Sequence, residues 1–269
     1  MRIKSQRAAR TDGERVFHVT TFPTIPSSSP RAFTLIELLV VMIIILILAA
    51  LLFPALKTAR ERGSRASCIS NFRQLTVATL SYASDNNWYL PAPNWDGGVI
   101  SNNDARGWEY GITLPAVPTT SCLTSGVLWP YLKNYKVYRC PMDKGVIPTG
   151  QKAHFLSSYI MNGAVSRYAF FTAGFKLYSF KPDDIIYWEA DVYNAWPPCT
   201  NCTSGSLGGF WNDGGSFPCE GITKRHLNGA AVACFDGHVE WMKWEKWIAE
   251  ECTANRSRLW CNPARGDGH

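Results

Sequence analysis

The sequence lacks the short motifs that mark common enzyme classes. It contains no nucleophile elbow between a strand and a helix, no HExxH metal motif and no glycine-rich phosphate loop. We therefore expect a protein that works by interaction, not an enzyme, and we expect no resident cofactor.

A basic patch on a folded module is also missing. The net charge of +6 comes mainly from two basic segments, residues 1–31 and 57–73, which flank an apolar run. Because recognition of nucleic acid requires a basic face on a folded module, we expect no nucleic-acid partner.

Charge is absent from the nineteen positions between Leu38 and Leu56. A helix of this length crosses a hydrocarbon core of roughly 30 Å. A cleaved secretory signal fits poorly, because its apolar part usually has about 7–15 residues. A plain signal anchor is the simpler alternative. Glu37 stands just before the run, where a lone carboxylate costs several kcal/mol in a membrane.

Cysteine is abundant, with nine residues, which is unusual for a cytosolic protein that binds no metal. An odd number leaves at least one cysteine unpaired or paired between chains. Together with the apolar run, this count indicates export to an oxidising compartment.

A second helical pattern follows the apolar run, from Lys57 to about Asp85. Apolar and small residues recur at spacings of three and four and form one stripe on a helix. The stripe comprises Cys68, Phe72, Leu75, Thr79 and Tyr82, widened by Ile69, Thr76, Leu80 and Ala83. A folded domain must cover this stripe.

The stretch AFTLIELL, residues 32–39, resembles the cleavage site of type IV prepilins and of type II secretion pseudopilins. The resemblance implies cleavage between Ala32 and Phe33 and methylation of the new amine of Phe33. Glu37 then occupies mature position five, and Pro54 occupies mature position 22, where the family often has a helix-kinking proline. Ala32 departs from the glycine that is usual before the cut.

The same resemblance implies a function and a location. Glu37 would neutralise the buried amine of Phe33 in a neighbouring subunit. The expected partners are a prepilin peptidase/methyltransferase, other pilin or pseudopilin subunits and inner-membrane lipid. The protein would be a single-pass bacterial inner-membrane protein with its globular part in the periplasm or outside the cell, assembled into a type II secretion pseudopilus or a pilus-like filament.

The expected fold is α+β and type IV pilin-like. One long N-terminal helix, transmembrane in its first half, would pack on a small antiparallel sheet. The expected divisions are a cleaved leader (1–32), a transmembrane helix (33–56), its amphipathic continuation (57–88), a globular domain (89–261) and a disordered tail (262–269).

Strand-like segments in the globular part include Ser157–Val165 and Asp184–Val192. Asp236-Gly237, between two alternating runs, predicts a hairpin with a two-residue type I′ turn. This turn would pair Phe235 with His238, Cys234 with Val239, and Val232 with Trp241. One face (Val232, Cys234, Val239 and Trp241) would be buried, and the other (Ala233, Phe235, His238 and Glu240) would be wetter.

A second resemblance rests on His226, nine further residues and Asp236-Gly237. This spacing is similar to a C-terminal motif of prepilin-like proteins from planctomycete- and lentisphaera-type bacteria. Other phrases of that group also occur here, namely NFRQL after a cysteine, YASDNNWYLP, YRCP, SYIMN and EAD. The resemblance supplies no biochemical role for the motif.

Titratable residues suggest a metal or acid–base site formed from His226, Asp236, His238, Asp191 and Glu189. We favour a structural interpretation, in which Asp236 serves the turn and His226 binds nearby backbone. Calcium bound by Asp213 and Asp236 is a weaker alternative, because the spacing of an EF-hand is absent.

Four cysteines, Cys199, Cys202, Cys219 and Cys234, have a partly zinc-like spacing, but the second CxxC pair is missing. Disulfides are the favoured interpretation outside the cytoplasm. The resemblance to the prepilin-like group implies a Cys68–Cys140 bridge, and Cys252 with Cys261 would close the C-terminal segment. Sequence alone does not determine the connectivity.

One rival function remains open. The chain could be a membrane-anchored, exported metal-binding or enzymatic domain that uses a pilin-type N-terminus. In the pilin interpretation, the loop from Asn194 to Gly221 is the candidate for surface contacts.

Overall fold

The computed structural model describes residues 33–94, 107–111, 119–144, 156–168, 174–190, 199 and 214–269. The chain divides into two compact units, residues 1–51 and 52–269. Helix α1 (Leu35–Asp85) begins in the first unit and runs into the second. A five-stranded sheet follows it, which confirms the α+β class.

Most of the predicted apolar stripe of α1 is buried, while Ile69, Leu80 and Tyr82 are half-buried. The buried residues of the helix are Cys68, Phe72, Leu75, Thr76, Ala78, Thr79 and Ala83. Their three- and four-residue spacing places them on one side of the helix. Pro54 lies inside the helix, where it lacks a backbone N–H to donate.

The sheet is mixed rather than purely antiparallel. Its strands, in the order β3-β1-β2-β4-β5, are β1 (Tyr159–Asn162), β2 (Ile185–Glu189), β3 (Gly215–Ser216), β4 (Gly229–Cys234) and β5 (Val239–Lys243). β1, β2, β4 and β5 pair antiparallel as expected. The two-residue strand β3 runs parallel to β1.

The sheet is covered on both faces, so its inner strands are buried along their whole length. Alternate residues of β4 belong to different core clusters: Ala231 and Ala233 to one, Ala230 and Val232 to the other. The near-continuous apolar sequences of these strands follow from this double coverage. The predicted wetter face of the hairpin is wrong, since Ala233 and Phe235 are both buried.

The second half of α1 covers one face of the sheet. The rings of Phe72 and Tyr159 lie 4.3 Å apart. The hydroxyl groups of Thr79 and Tyr187 are hydrogen-bonded at 2.8 Å. Asn71 donates to the hydroxyl of Tyr159 and to the backbone carbonyl of Arg139. Apolar packing and these polar contacts together fix the rotation of the helix about its axis.

Helix α3 (Trp244–Glu251) packs on the opposite side of the sheet. Its Trp247 contacts Trp188 of β2, with the ring centroids 5.1 Å apart. A shorter helix, α2 (Trp129–Leu132), comes earlier in the chain and precedes the Cys140-Pro141 turn. Trp247 and Trp188 are both fully buried and anchor the second core cluster.

The β4–β5 hairpin differs from the prediction by one residue in register. Ala233 pairs with Val239, and Val232 pairs with Glu240. The loop therefore has three residues, and only Gly237 of the loop has a positive φ, at +94°. A type I′ turn needs two such residues, so the predicted turn type is wrong.

Contacts of Phe235 explain the longer loop. Its backbone N–H donates to the carbonyl of Asp184, and its ring stacks on Phe180 with the centroids 4.1 Å apart. Gly237 N–H donates to Cys234 C=O, which closes the turn before a glycine bulge. Burial of Phe235 thus draws one more residue into the loop.

The C-terminal segment is ordered around Trp260. The backbone N–H of Asn262 donates to the carbonyl of Gly268, and His269 stacks on Trp260 with the centroids 4.0 Å apart. The structure therefore corrects the expectation of a disordered tail. It also corrects one expected bridge, since Cys252 is bonded to Cys199, and Cys261 is a buried free thiol.

Glu251, at the end of α3, should make the stability of the fold depend on pH. Burial, partly offset by Trp247, raises the pKa of Glu251 from 4.5 to about 8. The folded chain then binds more protons than the unfolded chain between these pH values. The contribution of Glu251 to stability is therefore lost as the pH rises from about 4.5 to about 8.

Glu251→Gln should flatten this loss. The measurement is thermal unfolding of the full-length chain in detergent from pH 4.5 to 8, followed by tryptophan fluorescence. The exposed Glu245 of the same helix provides the matched control, Glu245→Gln, which should keep the wild-type slope. Equal slopes for Glu251→Gln and the wild type would contradict the assignment.

Candidate functional site

The start of α1 carries a capping box formed by Thr34 and Glu37. The backbone N–H of Thr34 donates to Glu37 Oε2 at 2.9 Å, and the Thr34 hydroxyl donates to the same oxygen at 2.7 Å. The backbone N–H of Glu37 donates to Thr34 Oγ1 at 3.3 Å. Glu37 therefore has hydrogen-bond partners within its own chain. This capping role adds to the expected contact with a neighbouring subunit.

The apolar run after Glu37 exposes its side chains. Every large apolar side chain from Leu35 to Leu48 is between 44% and 84% exposed. Among the described residues, α1 is the one helix long and apolar enough to cross a membrane. An exposed apolar surface of this length requires lipid or other apolar helices around it.

A second cluster of chemically active side chains is buried in the unit formed by residues 52–269. It contains Cys68, Cys140, Glu189 and His226, whose candidate ligand atoms all lie within 4.8 Å of one another. Cys68 and Cys140 approach to 2.9 Å between their sulfur atoms, and both are free thiols. The predicted pairing partners are therefore adjacent but not bonded.

His226 lies at the centre of the cluster and is fully buried. Its Nδ1 lies 3.2 Å from Glu61 Oε1. Its Nε2 lies 3.4 Å from Glu189 Oε1 and 3.3 Å from Cys140 Sγ. We expected His226 to hydrogen-bond nearby backbone. Its backbone N–H does so, to the Gly229 carbonyl, whereas its ring nitrogens face carboxylates and a thiol.

Separate elements deliver these groups to one point. Glu61 and Cys68 are seven residues apart on α1, which places them two turns apart on one face. Glu189 ends β2, and its Oε2 accepts a hydrogen bond from the backbone N–H of Ala231 in β4. The backbone N–H of Cys140 donates to the hydroxyl of Ser158.

A strained turn presents His226. The next two residues, Leu227 and Asn228, have φ values of +52° and +62°. Asparagine tolerates this left-handed region, but leucine adopts it at a cost. The turn is closed by a hydrogen bond from the His226 N–H to the Gly229 carbonyl, and Trp241 Nε1 donates to the His226 carbonyl.

The electrostatics of the cluster favour a charged imidazole. Burial opposes the charge, but Cys140 and Glu189 outweigh it and raise the pKa of His226 to about 10. Burial would raise the pKa of Glu189, yet its contacts with His226 lower it below the ordinary value. His226 and its two flanking carboxylates therefore form an ion-paired triad around a buried imidazole.

The remaining predicted site residues lie elsewhere. Asp236 serves the hairpin turn as predicted, with Oδ1 accepting from the His238 N–H at 3.0 Å and lying 2.6 Å from His238 Nδ1. This pair is exposed and separate from the cluster. The predicted positions Ala32, Asp191, Cys202 and Asp213 lie outside the described residues.

The zinc-like cysteine set is not assembled. Cys199 is bonded to Cys252, Cys219 is also disulfide-bonded, and Cys234 is a free buried thiol that accepts from Arg258. The favoured disulfide interpretation therefore holds for Cys199 and Cys219.

Sequence reasoning missed Glu61 as a site residue. A signal was available, because Glu61 is the one acidic residue in a basic stretch and lies two helical turns before Cys68. Its partner His226 is 165 residues away along the chain.

Comparison with protein families finds a match in the N-terminal region. Residues 28–53 match the family described as the prokaryotic N-terminal methylation motif. No curated protein and no solved structure matches the chain. The match supports a prepilin-type N-terminus.

Two histidines, His226 and His238, each face a carboxylate, and we expect their replacement to lower the free energy of unfolding by very different amounts. His226→Ala leaves the buried carboxylate of Glu189 without its counter-charge and should destabilise the fold by about 3–5 kcal/mol. His238→Ala removes an exposed pair and should cost less than about 1 kcal/mol. Urea unfolding of both full-length variants in detergent measures the difference, and equal losses would refute the triad.

Proposed function

We propose that this chain is a pilin-like subunit, cut between Ala32 and Phe33, N-methylated on Phe33 and assembled through α1 into a pseudopilus or pilus-like filament. The observation that carries the proposal is the apolar start of α1, whose large side chains are exposed from Leu35 to Leu48. The methylation-motif match covers the same segment.

Assembly into a filament would explain why the start of α1 exposes apolar side chains. Packing of parallel helices from neighbouring subunits would cover the apolar side chains that a single chain leaves open. In such a bundle a new amine at Phe33 would be a cation in apolar surroundings, and a carboxylate from a neighbour would offset it. The globular unit would then lie on the periplasmic or outer side of the inner membrane.

Processing provides the first test. Co-expression with a prepilin peptidase should yield a mature chain that begins at Phe33 and carries one added methyl group, as read by intact mass and N-terminal sequencing. Ala32→Gly should be cut at least as well, whereas the bulky Ala32→Leu should leave the precursor intact. A mature chain beginning at any other residue would rule out the proposal.

Assembly provides the second test and depends on the charge of Glu37. Gln serves at this capping-box position as Glu does, so Glu37→Gln removes the charge while preserving the cap. We expect cleavage and membrane insertion to persist and filament assembly to be lost, as measured by recovery of sheared filaments and by crosslinking between subunits.

Thr34→Ala is the matched control for this test. It removes the hydroxyl of the capping box but keeps the carboxylate of Glu37. It should be cut and assembled nearly as well as the wild type. Normal assembly of Glu37→Gln would contradict the proposed pairing of Glu37 with a neighbouring subunit.

A further inference from the structure

We propose that Cys68, Cys140, His226 and Glu189 bind a single Zn²⁺ ion inside the globular unit. The four side chains are fully or almost fully buried, and their ligand atoms lie within 4.8 Å of one another. The site is distinct from the segment that carries the proposed function, and the zinc proposal does not depend on the pilin proposal.

The donor set has the chemistry that zinc prefers. Two thiols, one imidazole and one carboxylate supply sulfur, nitrogen and oxygen ligands in the number of a tetrahedral zinc site. Burial of all four ligands leaves no open coordination position, which is the pattern of a structural site and not of a catalytic one.

Two ligand distances fit tetrahedral zinc coordination, the distance between the two sulfur atoms requires an adjustment, and the remaining ligand atoms lie within 4.8 Å of one another. Zinc bonds of about 2.3 Å to sulfur and about 2.0–2.1 Å to nitrogen and oxygen separate the ligands by about 3.8 Å (S–S), about 3.5 Å (S–N) and about 3.3 Å (N–O). The Cys140–His226 distance of 3.3 Å and the His226–Glu189 distance of 3.4 Å are close to these values. The two sulfur atoms, 2.9 Å apart, must separate by about 0.9 Å to reach the tetrahedral S–S distance.

The orientation of the imidazole supports the same assignment. Glu61 lies against Nδ1 at 3.2 Å, so a proton on Nδ1 is held by a carboxylate. Nε2, the nitrogen that faces Cys140 and Glu189, can then lose its proton and ligate zinc. A carboxylate behind a ligating histidine is the usual outer partner in zinc sites, where it fixes the tautomer and the ring orientation.

The two oxygens of Glu189 are used differently. Oε2 accepts the backbone N–H of Ala231 at 3.1 Å. Oε1 is buried and makes no hydrogen bond among the described residues; its contact is the 3.4 Å ion pair with the imidazole. A carboxylate anchored through one oxygen presents the other to an ion, and zinc would satisfy this buried atom.

An ion at this point would join four separate parts of the chain. Cys68 comes from α1, Cys140 from the turn after residues 135–138, Glu189 from β2, and His226 from the turn before β4. Binding releases the ligand protons and adds its free energy to folding. Zinc would thus tie the helix to the sheet.

Metal analysis of the full-length chain purified in detergent tests the proposal. Mass spectrometry of metals should find about one zinc per chain, and Co²⁺ in its place should give a thiolate-to-cobalt charge-transfer absorption. Cys140→Ser and His226→Gln should lose both signals. Cys122→Ser, which removes a buried free thiol outside the cluster, should retain them.

Glu61→Gln is included because the ligand variants could lose zinc merely by failing to fold. It leaves all four ligands in place and should keep the 1:1 stoichiometry while weakening zinc affinity by about 10–100-fold. Absence of zinc binding by a folded chain whose Cys68 and Cys140 are both reduced would overturn the proposal. A Cys68–Cys140 disulfide in peptide maps of protein purified without reductant would also overturn it.

Discussion

The globular unit depends on burying His226 between two carboxylates. A lone charge in this interior would be prohibitive, so Glu61 and Glu189 must both be in place when the imidazole is buried. Glu61 comes from the helix and Glu189 from the sheet. The apolar stripe of α1 alone would tolerate a shift along the helix axis by about one turn, because its residues are similar in kind. The ionic contacts specify one position.

The helix and the central strands could be predicted because their signals are local. Three- and four-residue spacing marks the buried side of α1, and β-branched and aromatic runs mark β1 and β2. The hairpin register could not be predicted, since Asp236-Gly237 suits both a two-residue loop and a three-residue loop with a glycine bulge. The choice depends on a tertiary contact, the stacking of Phe235 on Phe180.

The N-terminal segment could be predicted from the sequence, whereas the buried cluster could not. The N-terminal segment is contiguous, so its residues can be read together and compared with a known motif. The triad brings together Glu61 and His226, which are 165 positions apart, and no spacing in the chain connects them. Titratable residue types indicated a site in the C-terminal half, but only folding reveals which of them meet. Asp236 and His238 have the same chemistry and meet at the surface.

The turn that presents His226 places its strain on a residue that faces solvent. Leu227 is 58% exposed and adopts a left-handed conformation that leucine disfavours. The contacts of His226 therefore hold the turn in a conformation that it would otherwise leave. Any event that rearranged the contacts of His226 would let this surface loop relax. The state of an interior closed to water would thereby become visible on the outside of the protein, where a protease or an antibody could read it.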